Sequence, residues 1–429
     1  MQVQLTQPRS VIGIVLGIVW AAALVVGLVG VGQRLLTGHE LANYSSSVPW
    51  GLWVSGYVYL IGLSAGAFLI SSLIFVFGFQ RLEPIGKLAL FTALVSLLSA
   101  LLAIWFDLGH MERFYRVYTD GNPVSMMAWM VWLYTAYSIL LSVELWYAMR
   151  GDLVDLAFES SLRGRVASLL LGRFGDAFGQ RSVVGLADTA YDRTGDMRVV
   201  RTLGAIGVPL AIAFHGGVGA LFGVVGAREF WNAPLMPLLF IVGALLSGGG
   251  LLTFIVAFFW PDRGSDEHRE MVVSLGQITL GLLAIYLIMV WAEYSITLYA
   301  DIPGASRPLY QVLGGPYPWV FWVFQIGLGA IVPIALMLSR PRSVPWVGTG
   351  AFLIAACFLA TRLNIVIPGL VEPQLAGLDT AYQEARLSYD YFPSAMEWQV
   401  FLFVGTVAVG LFFAGFWTLP LVGGKKEVS

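Results

Sequence analysis

Residues 88–106 read LALFTALVSLLSALLAIWF, an apolar run without a charged residue. A helix that crosses about 30 Å of hydrocarbon needs roughly 20 such residues. Similar runs recur along the chain, and they are continuous, whereas transmembrane strands would show alternation. The sequence therefore predicts an all-α polytopic membrane protein with ten spans. We place the spans at residues 11–31, 53–78, 88–108, 125–148, 202–226, 235–260, 274–299, 318–339, 346–367 and 397–420.

The composition excludes several classes of protein. Of the 429 residues, 58% are apolar and 12% are charged, whereas a soluble domain carries about 25% charged residues. The net charge of −2 and the scattered basic residues argue against nucleic-acid binding. The single cysteine, Cys357, excludes a cysteine-ligated cluster or a zinc finger, and no carboxylate–histidine group has the spacing of a metal site. We therefore expect a membrane protein that binds no metal.

Basic residues are unevenly distributed between the two sides of the membrane. Seventeen of the 24 lie on the side of the N-terminus, which predicts that both termini are cytoplasmic and that the chain crosses the inner membrane of the cell. Most of this excess lies in the loop 149–201. Helical spacing there predicts an amphipathic helix on the cytoplasmic leaflet, or alternatively a docking site for a cytoplasmic partner, followed by an exposed loop at 179–200. The apolar positions of this helix are Phe158, Leu162, Val166, Leu169 and Leu170.

Ionisable side chains in or beside the spans are functional candidates, because burial in lipid is costly for them. Most lie near the non-cytoplasmic ends of spans 3, 7, 9 and 10, which predicts a pocket open to that side. Structural alternatives are rim charges for Glu112 and Arg113 and a helix start for Glu397. Glu144 is close enough to Arg150 to be an interfacial ion. The full set is Asp107, His110, Glu112, Arg113, Glu144, His215, Glu293, Arg362 and Glu397.

The histidines do not fit a haem site. His110 and His215 differ in depth by about 13 Å along their helices, which is too far for the two axial ligands of one iron. The other two histidines, His39 and His268, lie in predicted loops on opposite sides of the membrane. We therefore expect the chain to bind no haem.

A quinone site suits these residues better. A quinone is apolar and has two carbonyl groups that accept hydrogen bonds, and the oxidation of a quinol requires bases for two protons. The spacing of Asp107 and His110 predicts that they share one face of a helix. The imidazole titrates near neutrality, and the carboxylate would fix its tautomer. Aromatic side chains such as Tyr59 and Trp132 would line the path of the quinone tail.

Seven short motifs carry a family resemblance. The chain resembles the NrfD/PsrC family of quinone-interacting membrane subunits of respiratory complexes, and its ten spans are similar to the branch that includes alternative complex III, DsrP-type and hydrogenase anchor subunits. The motifs are PWG at 49–51 with GLSAGAF at 62–68, DLGHMERF at 107–114, NPVSMMAW at 122–129, HGGVGA at 215–220, RLNIVIPG at 362–369 and YFPSAMEW at 391–398.

The resemblance implies an architecture and a set of partners. Within a single membrane domain over 1–429, it implies four-helix bundles at 53–226, with a cytoplasmic insertion at 150–200, and at 235–367. Residues 11–31 and 397–420 would be peripheral helices. It implies menaquinone or ubiquinone as cofactor and no haem, a ferredoxin-like iron–sulfur subunit on the outer face, and a further molybdoenzyme, hydrogenase or cytochrome subunit. The implied quinone site involves Asp107, His110 and His215, with Arg113 beside them.

Two other functions stay open at this point. A secondary transporter would show discontinuous helices, and Pro209 and Pro333 interrupt spans. A structural membrane anchor would leave His215 without a role. If the redox reaction is coupled to proton translocation, Glu144 and Glu293 are the predicted stations of the proton route, and the alternative is that both are structural carboxylates.

Overall fold

The computed structural model describes residues 11–177, 193–381 and 384–422. Over these ranges the chain contains helices and no strand, and ten helices are long and apolar enough to cross a membrane. Both the all-α fold and the number of spans are therefore confirmed. The protein is a multi-pass membrane protein.

Four of the spanning helices are longer by six residues or more than the apolar runs that reveal them. The spanning helices are α1 (Val11–Thr37), α2 (Leu52–Phe75), α3 (Gly86–Asp107), α5 (Met126–Ala157), α7 (Arg193–Gly223), α8 (Met236–Phe259), α9 (Asp266–Ala300), α12 (Val344–Val366) and α15 (Ala395–Thr418), together with a π-helix (Val320–Ile331) that continues into α11 (Val332–Ser339). Shorter helices lie between them: α4 (Arg116–Thr119), α6 (Leu162–Ala177), α10 (Pro303–Gly314), α13 (Pro368–Val371) and α14 (Leu378–Ala381).

Several predicted bounds are corrected because hydropathy reports the membrane crossing and not the length of the helix. The predicted loop at 179–200 is helical from Arg193 onward, since α7 starts at or before that residue, and 179–192 lie outside the described residues. His268 is not in a loop: it lies in the first turn of α9 and is buried. Pro209 lies inside the continuous α7.

The wide turns of the π-helix end where α11 begins at Val332, and Pro333 is the second residue of that helix. A proline has no amide hydrogen for the preceding turn, so the regular α-helical hydrogen-bond ladder is broken there.

The predicted amphipathic helix is present as α6, with a different packing face. Its small residues Gly164 and Ala167 are buried, and the helix packs on α5 and α15. Phe158, just before the helix, and Leu162 within it are 68% and 67% exposed. The expected apolar stripe therefore points mainly away from the protein. An orientation toward lipid stays a prediction.

Consecutive spans alternate in direction, which defines two faces of the molecule. The His110 face carries the connections 38–51, 108–125, 224–235, 301–319 and 372–394. The Lys87 face carries the connections 76–85, 260–265 and 340–343, together with α6.

Helices α2 and α8 cross at the centre of the structure. α2 also packs on α3, α7 and α12, and α8 also packs on α7, α9 and α12. A Cβ atom at Gly66 would overlap the carbonyl group of Ala244, so the small residue is what allows the close approach. α1 and α15 pack on each other, and α15 also packs on α3. The division into two four-helix bundles with two peripheral helices stays a prediction.

Candidate functional site

Asp107 lies at the very end of α3, where an arginine from α1 caps the helix. Leu108 is extended, so the last carbonyl groups of α3 need partners from elsewhere. Arg34, which is 3% exposed, donates from Nε to the carbonyl oxygen of Phe106 (2.9 Å) and from Nη2 to that of Leu108 (2.6 Å). The guanidinium also brings a positive charge to the negative end of the helix dipole. The Asp107 carboxylate accepts a hydrogen bond from the Tyr44 hydroxyl (3.3 Å).

A second carboxyl group is buried nearby, at the start of α15. Glu397 is fully buried and forms a capping box with Ser394, which fits the predicted helix-start role. One carboxylate oxygen also accepts from the amide of Asn43 (2.9 Å), and the other accepts from the Tyr391 hydroxyl. The rings of Tyr391 and Tyr44 stack at 6.0 Å. Two tyrosines therefore connect the two carboxyl groups.

We call Arg34, His39, Tyr44, Asp107, Tyr391 and Glu397 the Asp107 cluster. The His39 ring packs on Tyr44 (5.8 Å), and burial together with the Arg34 cation lowers the pKa of His39 to about 4. Burial and the Glu397 carboxylate raise the pKa of Tyr391. Burial and the Asp107 carboxylate raise the pKa of Tyr44. The cluster therefore holds neutral rings between two carboxyl groups and one guanidinium.

His110 does not share a helical face with Asp107, because α3 ends at Asp107. This part of the expectation is wrong. The His110 side chain is 67% exposed, and its Nδ1 lies 3.2 Å from a carboxylate oxygen of Glu112. The same oxygen lies 3.4 Å from Nε of Arg113, which is 50% exposed. The structure brings these three residues together on the surface of the His110 face.

His215 is buried where α2, α7 and α8 meet. It is 1% exposed, and neither ring nitrogen makes a well-aligned hydrogen bond among the described residues, while the backbone of Phe240 lies near enough to interact with the ring. Gly62 of α2 leaves room beside it, since a Cβ there would lie 3.5 Å from the imidazole. His215 precedes the end of α7 by eight residues, which places it roughly 12 Å below the His110 face.

Arg362 of α12 faces the same region. It is fully buried, and none of its three nitrogens has a hydrogen-bond partner within 11–177, 193–381 and 384–422. Its guanidinium lies 4.2 Å from the ring centre of Phe240, and the His215 ring lies 6.0 Å from the same ring. A Cβ at Gly243 would lie 3.2 Å from the guanidinium, so this glycine provides its space.

Aromatic side chains lie between Asp107 and His215, and ring contacts run from Tyr134 to His215. Tyr57 interacts electrostatically with both Asp107 and Tyr134, and the Tyr134 ring packs on Phe214 at 5.5 Å. Phe214 precedes His215 and packs on it at 6.1 Å.

The two residues predicted to line the tail path form hydrogen bonds in different parts of the protein, and their role in the tail path stays a prediction. The Tyr59 hydroxyl donates to the carbonyl oxygen of Ala355 (2.9 Å) and therefore faces α12. Trp132 Nε1 donates to the carbonyl oxygen of Val117 (3.0 Å), next to the surface of the His110 face.

Glu144 is buried in α5 with neither oxygen hydrogen-bonded in the described part of the chain. One turn closer to the Lys87 face, Tyr147 and Ala148 line a cavity of about 770 Å³ that is rich in charged side chains. Arg150 does not pair with Glu144: its guanidinium lies 3.0 Å from Asp196. The alternative that Glu144 is an interfacial ion beside Arg150 therefore gains no support from this contact.

Glu293 lies in α9 near the His110 face and is partly buried. It lines a small cavity of about 30 Å³ together with Tyr286, Gln325 and Thr361. Glu144 and Glu293 therefore belong to different regions, one toward each face of the protein.

Comparison with known proteins identifies the family. The family profile described as "Polysulphide reductase, NrfD" matches residues 40–374. The chain belongs to the NrfD family. It is 33% identical to a selenate reductase subunit from Mesobacillus selenatarsenatis, over 94% of this chain and 93% of the relative. It is 26% identical to the Hdr-like menaquinol oxidoreductase integral membrane subunit of Archaeoglobus fulgidus (83% and 81%) and 23% identical to a polysulfide reductase subunit from Wolinella succinogenes (76% and 95%).

Proposed function

We propose that this NrfD-family chain is the quinone-reactive membrane subunit of a respiratory oxidoreductase. The main support is the Asp107 cluster, which joins two buried carboxyl groups through Tyr44 and Tyr391 directly beneath the His110 face. Removal of two electrons from a quinol also releases two protons, so a quinol-oxidising site needs buried proton acceptors. Two relatives are named for menaquinol or menaquinone chemistry, which agrees with this proposal.

The residues between Asp107 and His215 fit a quinone or quinol head group. The nitrogens of His215 and Arg362, unpaired within the described residues, are the groups that a ring oxygen would satisfy, and an unpaired polar group in an apolar interior is costly. Phe214 and Phe240 supply apolar contact surface. A bound quinol would supply the two electrons. In this proposal His215 orients the head group at a ring nitrogen, and Asp107 accepts a proton on its carboxylate.

We place the iron–sulfur partner on the His110 face, which would be the non-cytoplasmic side of the inner membrane. The connection 108–125 exposes Phe114 (56%), Tyr118 (51%) and Val124 (86%) between charged residues. Apolar side chains of this kind on an aqueous face mark a protein interface. A subunit docked there would cover His110 and Arg113, within reach of the Asp107 cluster. A further catalytic subunit would complete the complex.

Glu144 is the proposed entry point of protons if the reaction is coupled to their translocation. The charged cavity at the Lys87 face reaches Tyr147 and Ala148, one turn from Glu144. A proton route through an apolar bundle needs titratable groups and water at intervals.

Asp107→Asn in the purified complex tests the proposal. We expect quinol oxidation to fall by about 10²–10⁴, because a proton acceptor is lost while the hydrogen bond from Tyr44 is kept. Asp120→Asn, an exposed carboxylate on the same face, is the matched control and should keep the wild-type rate. Co-purification of the partner subunits verifies assembly. An assembled Asp107→Asn complex with the wild-type rate would refute the assignment.

A further inference from the structure

Two small cavities lie next to each other between α9, α12 and the π-helix. The first has a volume of about 30 Å³ and reaches Glu293 and Leu309 beneath α10. The second has a volume of about 20 Å³ and reaches Cys357. Tyr286, Gln325 and Thr361 line both. Three polar side chains therefore stand between two spaces that are otherwise largely apolar.

These three side chains are buried, and each interacts with another polar side chain. Tyr286 and Thr361 are each 4% exposed, and their side chains lie close enough to interact. Asn364 donates from Nδ2 to the Gln325 side-chain oxygen at 2.7 Å. Tyr286 also interacts electrostatically with Arg362. The polar lining thus continues from Glu293 at one end to the buried guanidinium of Arg362 at the other.

The cavities have the size and chemistry of internal water sites. One water needs about 10–15 Å³ of such volume and two to four polar partners. By this measure the first cavity holds about two waters and the second about one. An empty polar cavity would leave the Tyr286, Gln325 and Glu293 side chains without their remaining partners, whereas water satisfies them.

We propose that ordered water fills both cavities and, with Tyr286 and Thr361, forms a proton path to Glu293. The path starts at His215 and Arg362, which both pack on the Phe240 ring and which we call the Arg362–His215 pair. The role in proton transfer rests on the proposed function, and the hydration does not. In this path the second proton of the quinol passes from its ring oxygen to a ring nitrogen of His215, then to water and along the hydroxyl groups, and is accepted by the Glu293 carboxylate, which releases it at the His110 face. The fixed positive charge of Arg362 repels the proton and the carboxylate attracts it, so the field favours outward movement.

X-ray radiolytic footprinting of the intact complex tests the hydration without any turnover. Hydroxyl radicals form where water is bound, so a buried tyrosine beside ordered water is oxidised and a dry one is not. We expect Tyr286 to be oxidised several-fold faster than Tyr137, which is equally buried and lines neither cavity. Gln325→Leu should remove most of the Tyr286 signal. Equal, slow oxidation of Tyr286 and Tyr137 would show that the cavities are dry and would overturn the proposal.

The proton role is tested with two threonine variants in the same complex. Thr361→Val removes a hydroxyl from the path, and we expect quinol oxidation to slow about tenfold with a larger solvent isotope effect. Thr253→Val removes an equally buried hydroxyl of α8 that lines neither cavity and should change neither value. Identical rates and isotope effects in the two variants would overturn the proton path. A wild-type complex that does not oxidise quinol would overturn the proposed function as well, and the footprinting result would still decide the hydration.

Discussion

His215 and His268 are equally buried, at 1% exposure each, yet their surroundings differ. His268 lies at the start of α9, where Nε2 is 2.9 Å from the carbonyl oxygen of Val256 and Nδ1 accepts from the amide of Gly264 at 3.3 Å. Both of its nitrogens are used. The nitrogens of His215 make no well-aligned hydrogen bond in the described residues. The first arrangement holds a loop to a helix, and the second leaves hydrogen-bonding groups available for a ligand or for water.

Like His268, the charged groups of the Asp107 cluster use their hydrogen-bonding atoms within the protein. Its carboxylates and guanidinium all have partners, and these come from the end of α3 and from residues of the connections that follow α1, follow α3 and precede α15. α1 and α15 are thus more than peripheral supports, since they supply Arg34 and Glu397. The cluster is a preorganised network, whereas the nitrogens of the neighbouring Arg362–His215 pair are unpaired within the part of the chain that the structure describes.

The two histidines give the largest predicted contrast. His215→Leu should lower quinol oxidation by about 10²–10⁴ and leave stability unchanged or slightly raised, because a buried group without a hydrogen bond is replaced by an apolar one. His268→Leu should keep the rate and lower the free energy of unfolding by about 1–3 kcal/mol, because two hydrogen bonds are lost. Turnover of the assembled complexes and their thermal midpoints measure the two effects. The reverse pattern would exchange the roles assigned to the two histidines.

The fold could be predicted from the sequence because membrane crossing requires long apolar runs, and the ten runs are easily recognised. Asp107, His215 and Arg362 could be predicted as site residues because burying a charged or titratable side chain in such a run costs free energy. The prediction that Asp107 and His110 share a helical face was wrong because helical spacing applies only as long as the helix continues. Gly109, two residues after Asp107, is a helix-end signal that was present in the sequence.

The remaining members of the Asp107 cluster could not be found in this way. Tyr44 and Tyr391 lie in polar connections, where hydropathy carries no information. Their contact joins segments that are more than 300 residues apart in the chain, and the packing of α1 on α15 together with direct hydrogen bonds such as Ser45 to Ser388 brings them together. Arg34 looked like an ordinary basic residue at the end of a span.

Arg34→Met should give the next largest effect, on stability. It leaves the carbonyl groups of Phe106 and Leu108 unpaired, and hydrogen bonds to a charged group contribute about 1.5–3 kcal/mol each. We expect a loss of about 3 kcal/mol in the free energy of unfolding and a slower quinol reaction, because the end of α3 positions Asp107. Arg113→Met on the exposed surface is the control and should change stability by less than about 0.5 kcal/mol. Equal thermal midpoints for the two variants would contradict the capping role of Arg34.

Glu397→Gln should have a smaller effect, since the amide keeps one acceptor and loses the charge. The hydrogen bonds from Asn43, Ser394 and Tyr391 weaken together, and we expect about 1–2 kcal/mol of lost stability. Glu112→Gln, at 66% side-chain exposure, is the matched control with no expected loss. Chemical denaturation of the detergent-solubilised complex measures the difference. A Glu112→Gln complex as destabilised as Glu397→Gln would show that burial of Glu397 contributes nothing.

The smallest predicted effect is the pH dependence that His39 gives to the Asp107 cluster. Burial and the nearby Arg34 cation lower the pKa of His39 from its ordinary value of 6.5 to about 4. Between pH 6.5 and pH 4 the unfolded chain therefore binds a proton at this position and the folded chain does not. The free energy of unfolding falls as the pH is lowered through this window.

His39→Gln removes the titrating group and should flatten this part of the stability curve. The other groups of the cluster titrate in both proteins, so the difference between the two curves isolates His39. Thermal midpoints of the intact complex at several pH values between about 6.5 and 4.5 provide the measurement. We expect the wild type to lose stability on acidification and His39→Gln to lose less. Two parallel curves would mean that His39 binds its proton as readily in the folded protein as in the unfolded chain, and would contradict the lowered pKa of His39.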